Sequence, residues 1–146
     1  MSDLSLAAAR AAAEKLLSEM AERWESLGDF SGACAYSIRS GGKRVRPSIA
    51  IGLGRMLLGP QRSPQWDRAL CQAACGVELL HLASLVADDL PCMDDDDERR
   101  GRPSLHRRYS ESTALLASYA LIAHGYELLA GVLEGSQRSR WSKSEL

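Results

Sequence analysis

No run of about 18 uninterrupted apolar residues occurs in this 146-residue chain, so no membrane span is expected. Strand-like alternation never persists beyond a few residues, and no segment repeats. Lysine is scarce, with three against fifteen arginines; the imbalance suits phosphate recognition, though codon bias is the simpler source. The formal net charge of −1 leaves no global field to favour nucleic acid or an anionic membrane, and neither is an expected partner. Four cysteines (Cys34, Cys71, Cys75 and Cys92) lack the pairing of a zinc site. With no signal peptide visible, they read as small buried thiols of a reducing compartment, and the expected location is cytoplasmic.

What remains is helix after helix. Leu6, Ala9, Ala13, Leu16, Leu17, Met20, Trp24 and Leu27 recur at three- and four-residue steps, which predicts one amphipathic helix over about residues 4–27. A short helical piece over 32–40 ends at Gly41-Gly42. The next helix carries Pro47 in its first turn and stops at Gly59-Pro60. Ser63 can cap a long helix that runs through Leu70, Ala74, Val77, Leu80 and Leu85 into an acidic segment. Ser110 or Ser112 opens a last apolar helix, and residues 134–146 read as a polar, frayed tail. The predicted class is all-α, with the helices packed as a bundle.

The acidic segment is the densest chemical signal. Seven of the eleven residues from Asp88 to Glu98 are carboxylates, followed at once by Arg99 and Arg100. Two carboxylates ~4 Å apart repel by ~4 kcal/mol near a protein surface, so such a cluster is either splayed into solvent or held by a cation. Hard oxygen ligands suit Mg²⁺, which commonly shares its shell with substrate phosphates. Arginines beside the acids can bind the same phosphates bidentately. A calcium loop counted from Asp96 fails, because Arg107 stands where a bidentate Glu is needed. In an ideal helix the six steps from Asp88 to Asp94 leave the two some ~120° apart. Pro91 also disfavours helix at Leu90, so a bulge or kink is expected between the acids.

Two further groups share the pattern. Glu78, His81, Leu85 and Asp88 fall on one helix face, which offers an imidazole above the acids; a bland pairing of His81 with Glu78 fits the spacing equally well. Gly41-Gly42-Lys43-Arg44-Val45-Arg46-Pro47 precedes a helix N-terminus, where amides and dipole favour anions. Alone it reads as a solvated basic turn, and it lacks the spacing of a P-loop.

Taken together, GGKRVRP at 41–47, ELLHLASLVADD at 78–89 and DDLPCMDDDDERRGRPSLH at 88–106 resemble the trans-isoprenyl diphosphate synthases of the polyprenyl synthetase family. The resemblance covers most of residues 30–130 and implies an isoprenoid-synthase helical bundle. It implies Mg²⁺-dependent, head-to-tail condensation of an allylic diphosphate with isopentenyl diphosphate. Carried over by position, Asp88 and Asp94 would ligate Mg²⁺ with Asp89 in support, and Arg99 would hold the allylic diphosphate. Lys43, Arg46, His81 and Arg100 would hold isopentenyl diphosphate. Small Ala83 and Ser84, about one turn above Asp88, would leave room for a long product. With the Pro91-Cys92 insertion, they resemble bacterial-type geranylgeranyl diphosphate synthases and imply a C20 product. Homodimerisation is a further family trait.

The chain also departs from the family pattern. No aspartate follows Asp97, so the family's second aspartate-rich motif is missing. Residues 1–133 are therefore read as the N-terminal half of the bundle, truncated about halfway. Ala87 stands where His is usual, and Ser118-Tyr119 where Gly-Asp is usual. These gaps keep a second reading open, in which the chain is a non-catalytic partner of a full-length synthase.

Overall fold

A computed structural model describes residues 5–141, with side chains through Leu133. Six helices and one hairpin follow in the order α1 (Leu6–Glu25), α2 (Asp29–Arg39), α3 (Val45–Leu58), α4 (Pro64–Asp88), β1 (Glu98–Arg99), β2 (Arg102–Pro103), α5 (Leu105–Arg108) and α6 (Glu111–Trp141). The all-α expectation holds. The expected tail at 134–146 lies outside the described side chains, and α6 is drawn through Trp141.

Local chemistry explains most boundaries. The Ser5 hydroxyl accepts the Ala8 amide at 3.1 Å and caps α1. Ser63 accepts from Trp66 at 3.3 Å and caps α4, with Pro64 in the first turn as expected. Gly28 and Gly59, at φ 120° and 75°, separate helices where L side chains would be strained. α2 starts earlier than its sequence pattern suggested, directly after Gly28.

The core forms where α1 lays its Ala9, Ala13, Leu17 and Ala21 stripe against α2, α3 and α4. Leu17, Ile38, Ile51, Leu79 and Leu121 are fully buried. Cys34 and Cys75 are buried, and burial pushes their thiols up to about 11 and about 12. Cys92, expected to be buried, is exposed, because the acidic turn that carries it faces solvent.

α4 and α6 form the longest contact. By length and composition alone each could cross a membrane, which a search for uninterrupted apolar runs overlooks. Here they pack on each other, and a pair of glycines sets their spacing. A Cβ on Gly76 would stand 2.9 Å from the Gly125 carbonyl oxygen, and a Cβ on Gly125 would stand 3.0 Å from that of Gly76. The outer sides of α6 and α3 keep large apolar groups exposed, including Leu116, Tyr119 and Tyr126, and Leu53, Met56 and Leu57.

Because both neighbours at the crossing are backbone, neither can yield to an added methyl. Gly76→Ala is expected to destabilise the fold by ~1–3 kcal/mol in urea unfolding. Gly131→Ala, where nothing lies within 4 Å, should instead stabilise by roughly 0.5–1 kcal/mol.

Candidate functional site

The loop before α3 is built around an arginine that points inward. Arg44 adopts a left-handed backbone (φ 47°) and is only 3% exposed. Its guanidinium donates to Glu78 at 3.1 Å, to Glu14 at 3.2 Å and to the Ile38 carbonyl at 2.6 Å. The Ser48 hydroxyl closes the turn by donating to the Arg44 carbonyl at 2.6 Å. Glu78 is thus committed to Arg44 rather than to His81.

With Arg44 turned in, its neighbours Lys43 and Arg46 are left at the surface. They line a cavity of about 410 Å³ together with Gly42, His81, Arg100 and the Arg44–Glu78 pair, whose opposite charges offset each other. Four residues singled out from three separate sequence segments therefore meet around one space. Gly42, at φ 136°, is what admits Arg100: a Cβ there would lie 2.5 Å from an Arg100 guanidinium nitrogen. That guanidinium also donates to the Gly41 carbonyl. Burial, then the nearby Arg46, lowers the His81 pKa below its ordinary 6.5, with Glu78 pulling the other way. Cations around a half-buried neutral imidazole suit an anion with several oxygen atoms.

The acidic wall lies at the C-terminus of α4. The expected bulge or kink is replaced by a stop: α4 ends at Asp88, and the chain wraps into a tight turn. The Leu90 amide donates to the Ala87 carbonyl at 3.2 Å and the Asp94 amide to the Asp88 carbonyl at 2.9 Å. This return satisfies carbonyls the helix would otherwise leave open, and it brings Asp94 back to Asp88 despite their angular separation along a regular helix. Asp88 is half-buried and Asp94 exposed, and this pair could hold a metal. Asp89 turns the other way. It is 3% exposed, and both its oxygens accept from Arg99 Nε, at 2.6 and 2.8 Å. Asp89 therefore serves to hold Arg99, whose pKa it raises first by that hydrogen bond.

Arg99 and Arg100 part company at a hairpin with a two-residue turn. Glu98 pairs with Pro103 and Arg99 with Arg102, and Arg100 and Gly101 turn at φ 56° and 73°. The hairpin is pinned to α2: the Tyr36 hydroxyl donates to the Pro103 carbonyl at 2.9 Å, and Arg102 lies 4.5 Å over the Tyr36 ring. No motif signalled Tyr36. Beside Asp89 and Arg99, the pocket is lined by Tyr36, Leu82, Leu85 and Val86. Ala83 and Ser84 do not share a face, since successive helical residues point ~100° apart. Ala83 is 1% exposed in the core, while Ser84 is open and its hydroxyl donates to the His81 carbonyl at 2.8 Å. Ser118 is likewise buried, and Tyr119 faces out.

The all-α bundle is the fold of solved isoprenoid synthases. The chain belongs to the polyprenyl synthetase family, which it matches over residues 29–143. It is 45% identical to geranylgeranyl pyrophosphate synthase 4 of Arabidopsis thaliana over 97 residues, covering 66% of this chain and 24% of that protein. Against the chloroplastic geranylgeranyl pyrophosphate synthase of Capsicum annuum, identity is 42% over 108 residues, covering 74% of this chain and 28% of that one. Among solved structures, it superimposes on the geranyltranstransferase of Thermotoga maritima with a TM-score of 0.77 at 32% identity, over 94% of this chain and 49% of that one. A geranyltransferase of Helicobacter pylori, solved with magnesium and isoprenyl diphosphate, gives 0.65 at 32%, over 83% and 44%. The chain thus spans about half the length of these solved structures and less of the curated relatives.

The lowered pKa sets a pH signature. Below pH 6.5 an unfolded chain protonates His81 more readily than the folded one does, so the stability that His81 contributes above 6.5 is lost as pH falls through the folded value. The imidazole should titrate below 6.5 by NMR, and Arg46→Ala should move its midpoint upward.

Proposed function

We propose that this chain supplies two walls of a prenyl-chain-elongating site, one for isopentenyl diphosphate and one for the metal-bound end of an allylic diphosphate. The convergence of Lys43, Arg46, His81 and Arg100 on one cavity carries the reading. Those four would hold the isopentenyl diphosphate, with Lys43 as a point charge and the arginines as planar forks. Arg99, fixed by Asp89, would hold the allylic diphosphate. Asp88 and Asp94 would hold Mg²⁺, being carboxylate residues whose backbones are joined by a hydrogen bond at a helix end. When bound, the metal neutralises charge on the departing diphosphate. The reaction would join the allylic carbon to the isopentenyl double bond with loss of a proton, here giving a C20 product. Ser84, open on α4 one turn above Asp88, supports a long product and remains the residue to gauge it.

The experiment is direct. Calorimetry with isopentenyl diphosphate should give saturable binding that Lys43→Ala, Arg46→Ala or Arg100→Ala weakens by about 10- to 100-fold each, as loss of a charged hydrogen bond predicts. Equal binding by the three variants would overturn the assignment.

A second reading is favoured by the exposed apolar groups on α6. In it, the chain pairs through α6 with a second copy or with a full-length synthase, and modulates rather than performs transfer. One relative, 40% identical over 114 residues, is named a heterodimeric geranylgeranyl pyrophosphate synthase large subunit from Arabidopsis thaliana. Radiolabelled isopentenyl transfer separates the two readings: turnover by the chain alone rejects the partner reading. Silence alone, with changed output from an added synthase, rejects the self-sufficient enzyme.

A further inference from the structure

We propose that Asp95, Asp97 and His106 form a second cation site, for a borderline divalent ion such as Zn²⁺ or Mn²⁺, separate from Asp88 and Asp94. The fold gathers the three from two segments, the acidic turn and α5. Asp95 sits in a left-handed turn (φ 52°), with its amide donating to the Leu90 carbonyl at 3.2 Å. The hairpin then folds the chain back, so that the Ser104 amide donates to the Asp97 carbonyl at 2.9 Å. Two residues later α5 presents His106. One carboxylate oxygen of each acid and a ring nitrogen of His106 lie within 4.8 Å of one another.

The histidine separates this group from an ordinary solvated acidic turn. His106 is only 7% exposed, and its Nε2 is buried with no hydrogen-bond partner among the described residues. Its Nδ1 lies 3.1 Å from the Ser104 hydroxyl, a contact that orients the ring, as outer-shell partners of metal-bound imidazoles do. Two carboxylates and an imidazole form a mixed oxygen and nitrogen set, which selects Zn²⁺ or Mn²⁺ rather than the all-oxygen surroundings Mg²⁺ prefers. Metal bonds of about 2.0–2.2 Å set neighbouring ligand atoms ~3–3.5 Å apart, inside the 4.8 Å within which these three gather. Both acids are exposed and able to close that difference by rotamer change.

One group opposes the site. Arg107 Nε donates to Asp97 at 2.5 Å and must give up or share that oxygen when a cation enters. Bound metal would tie the acidic turn to α5 on either side of the hairpin, and so fix the hairpin from which Arg99 and Arg100 project.

Zn²⁺ and Mn²⁺ titrated calorimetrically into the metal-free 146-residue chain should each reveal a site that survives Asp88→Asn and Asp94→Asn. Asp95→Asn, an exposed change that leaves the core untouched, should weaken it by on the order of 10-fold or more. Arg107→Gln should tighten it. Co²⁺ as a probe should show d–d absorption with imidazole ligation, lost in Asp95→Asn while circular dichroism stays unchanged. No saturable binding, binding indifferent to Asp95→Asn, or binding abolished by Asp88→Asn would overturn the proposal.

Discussion

The buried Arg44–Glu78 ion pair is the constraint on which the candidate site depends. It joins the loop before α3 to the middle of α4, and through Glu14 and the Ile38 carbonyl it also reaches α1 and the end of α2. A non-glycine residue held in the left-handed region costs of order 1–3 kcal/mol, so Arg44 stays there only because its surroundings over-determine it. Losing one partner of a buried pair costs ~3–5 kcal/mol, since the other charge is left stranded in the interior. The pair also sorts the basic residues of its loop. Within Lys43-Arg44-Val45-Arg46, the one guanidinium drawn inward leaves the flanking cations facing the cavity.

A second coupling runs through the hairpin. Adjacent arginines are thrown to opposite duties by a turn in which both central residues have positive φ. Arg99 folds onto Asp89 beside the acidic wall, while Arg100 crosses to the glycines of the other wall. Tyr36 and Arg102 anchor the hairpin to α2, so the two walls are joined by a short rigid span rather than by a free loop. The polyprenyl synthetase membership agrees with this arrangement, since all three motifs that carried the resemblance contribute side chains to it.

Much of this was legible in the amino-acid sequence, for definite reasons. Apolar periodicity fixed the long helices, because burying a stripe is what holds a helix in place, and Ser63 marked the start of α4 by chemistry local to a few residues. The grouping of Lys43, Arg46, His81 and Arg100 was legible only through resemblance to a family, since no spacing rule connects three separate segments. The direction of side chains in irregular segments was not legible. Whether Arg44 points in or out depends on one left-handed residue. Asp89 is diverted from its neighbour Asp88 by a guanidinium ten residues on, and Ala83 and Ser84 fall on different faces of α4 because each step turns the helix by ~100°. The hairpin was hidden because its strands are two residues long, too short for any alternation.

The glycine contact between α4 and α6 acts as the fulcrum of a lever. Gly76 lies twelve residues before Asp88, which on a straight helix is an arm of ~18 Å. A rotation of only ~5° at the crossing would swing the acidic end by ~1.5 Å, enough to spoil alignment of reacting groups. Backbone seated on backbone, with Leu80 and Leu129 closing in beside it, leaves little slack to absorb such a rotation. The accuracy with which the carboxylates are aimed is therefore set far from them, at a point where the chain carries no side chain at all.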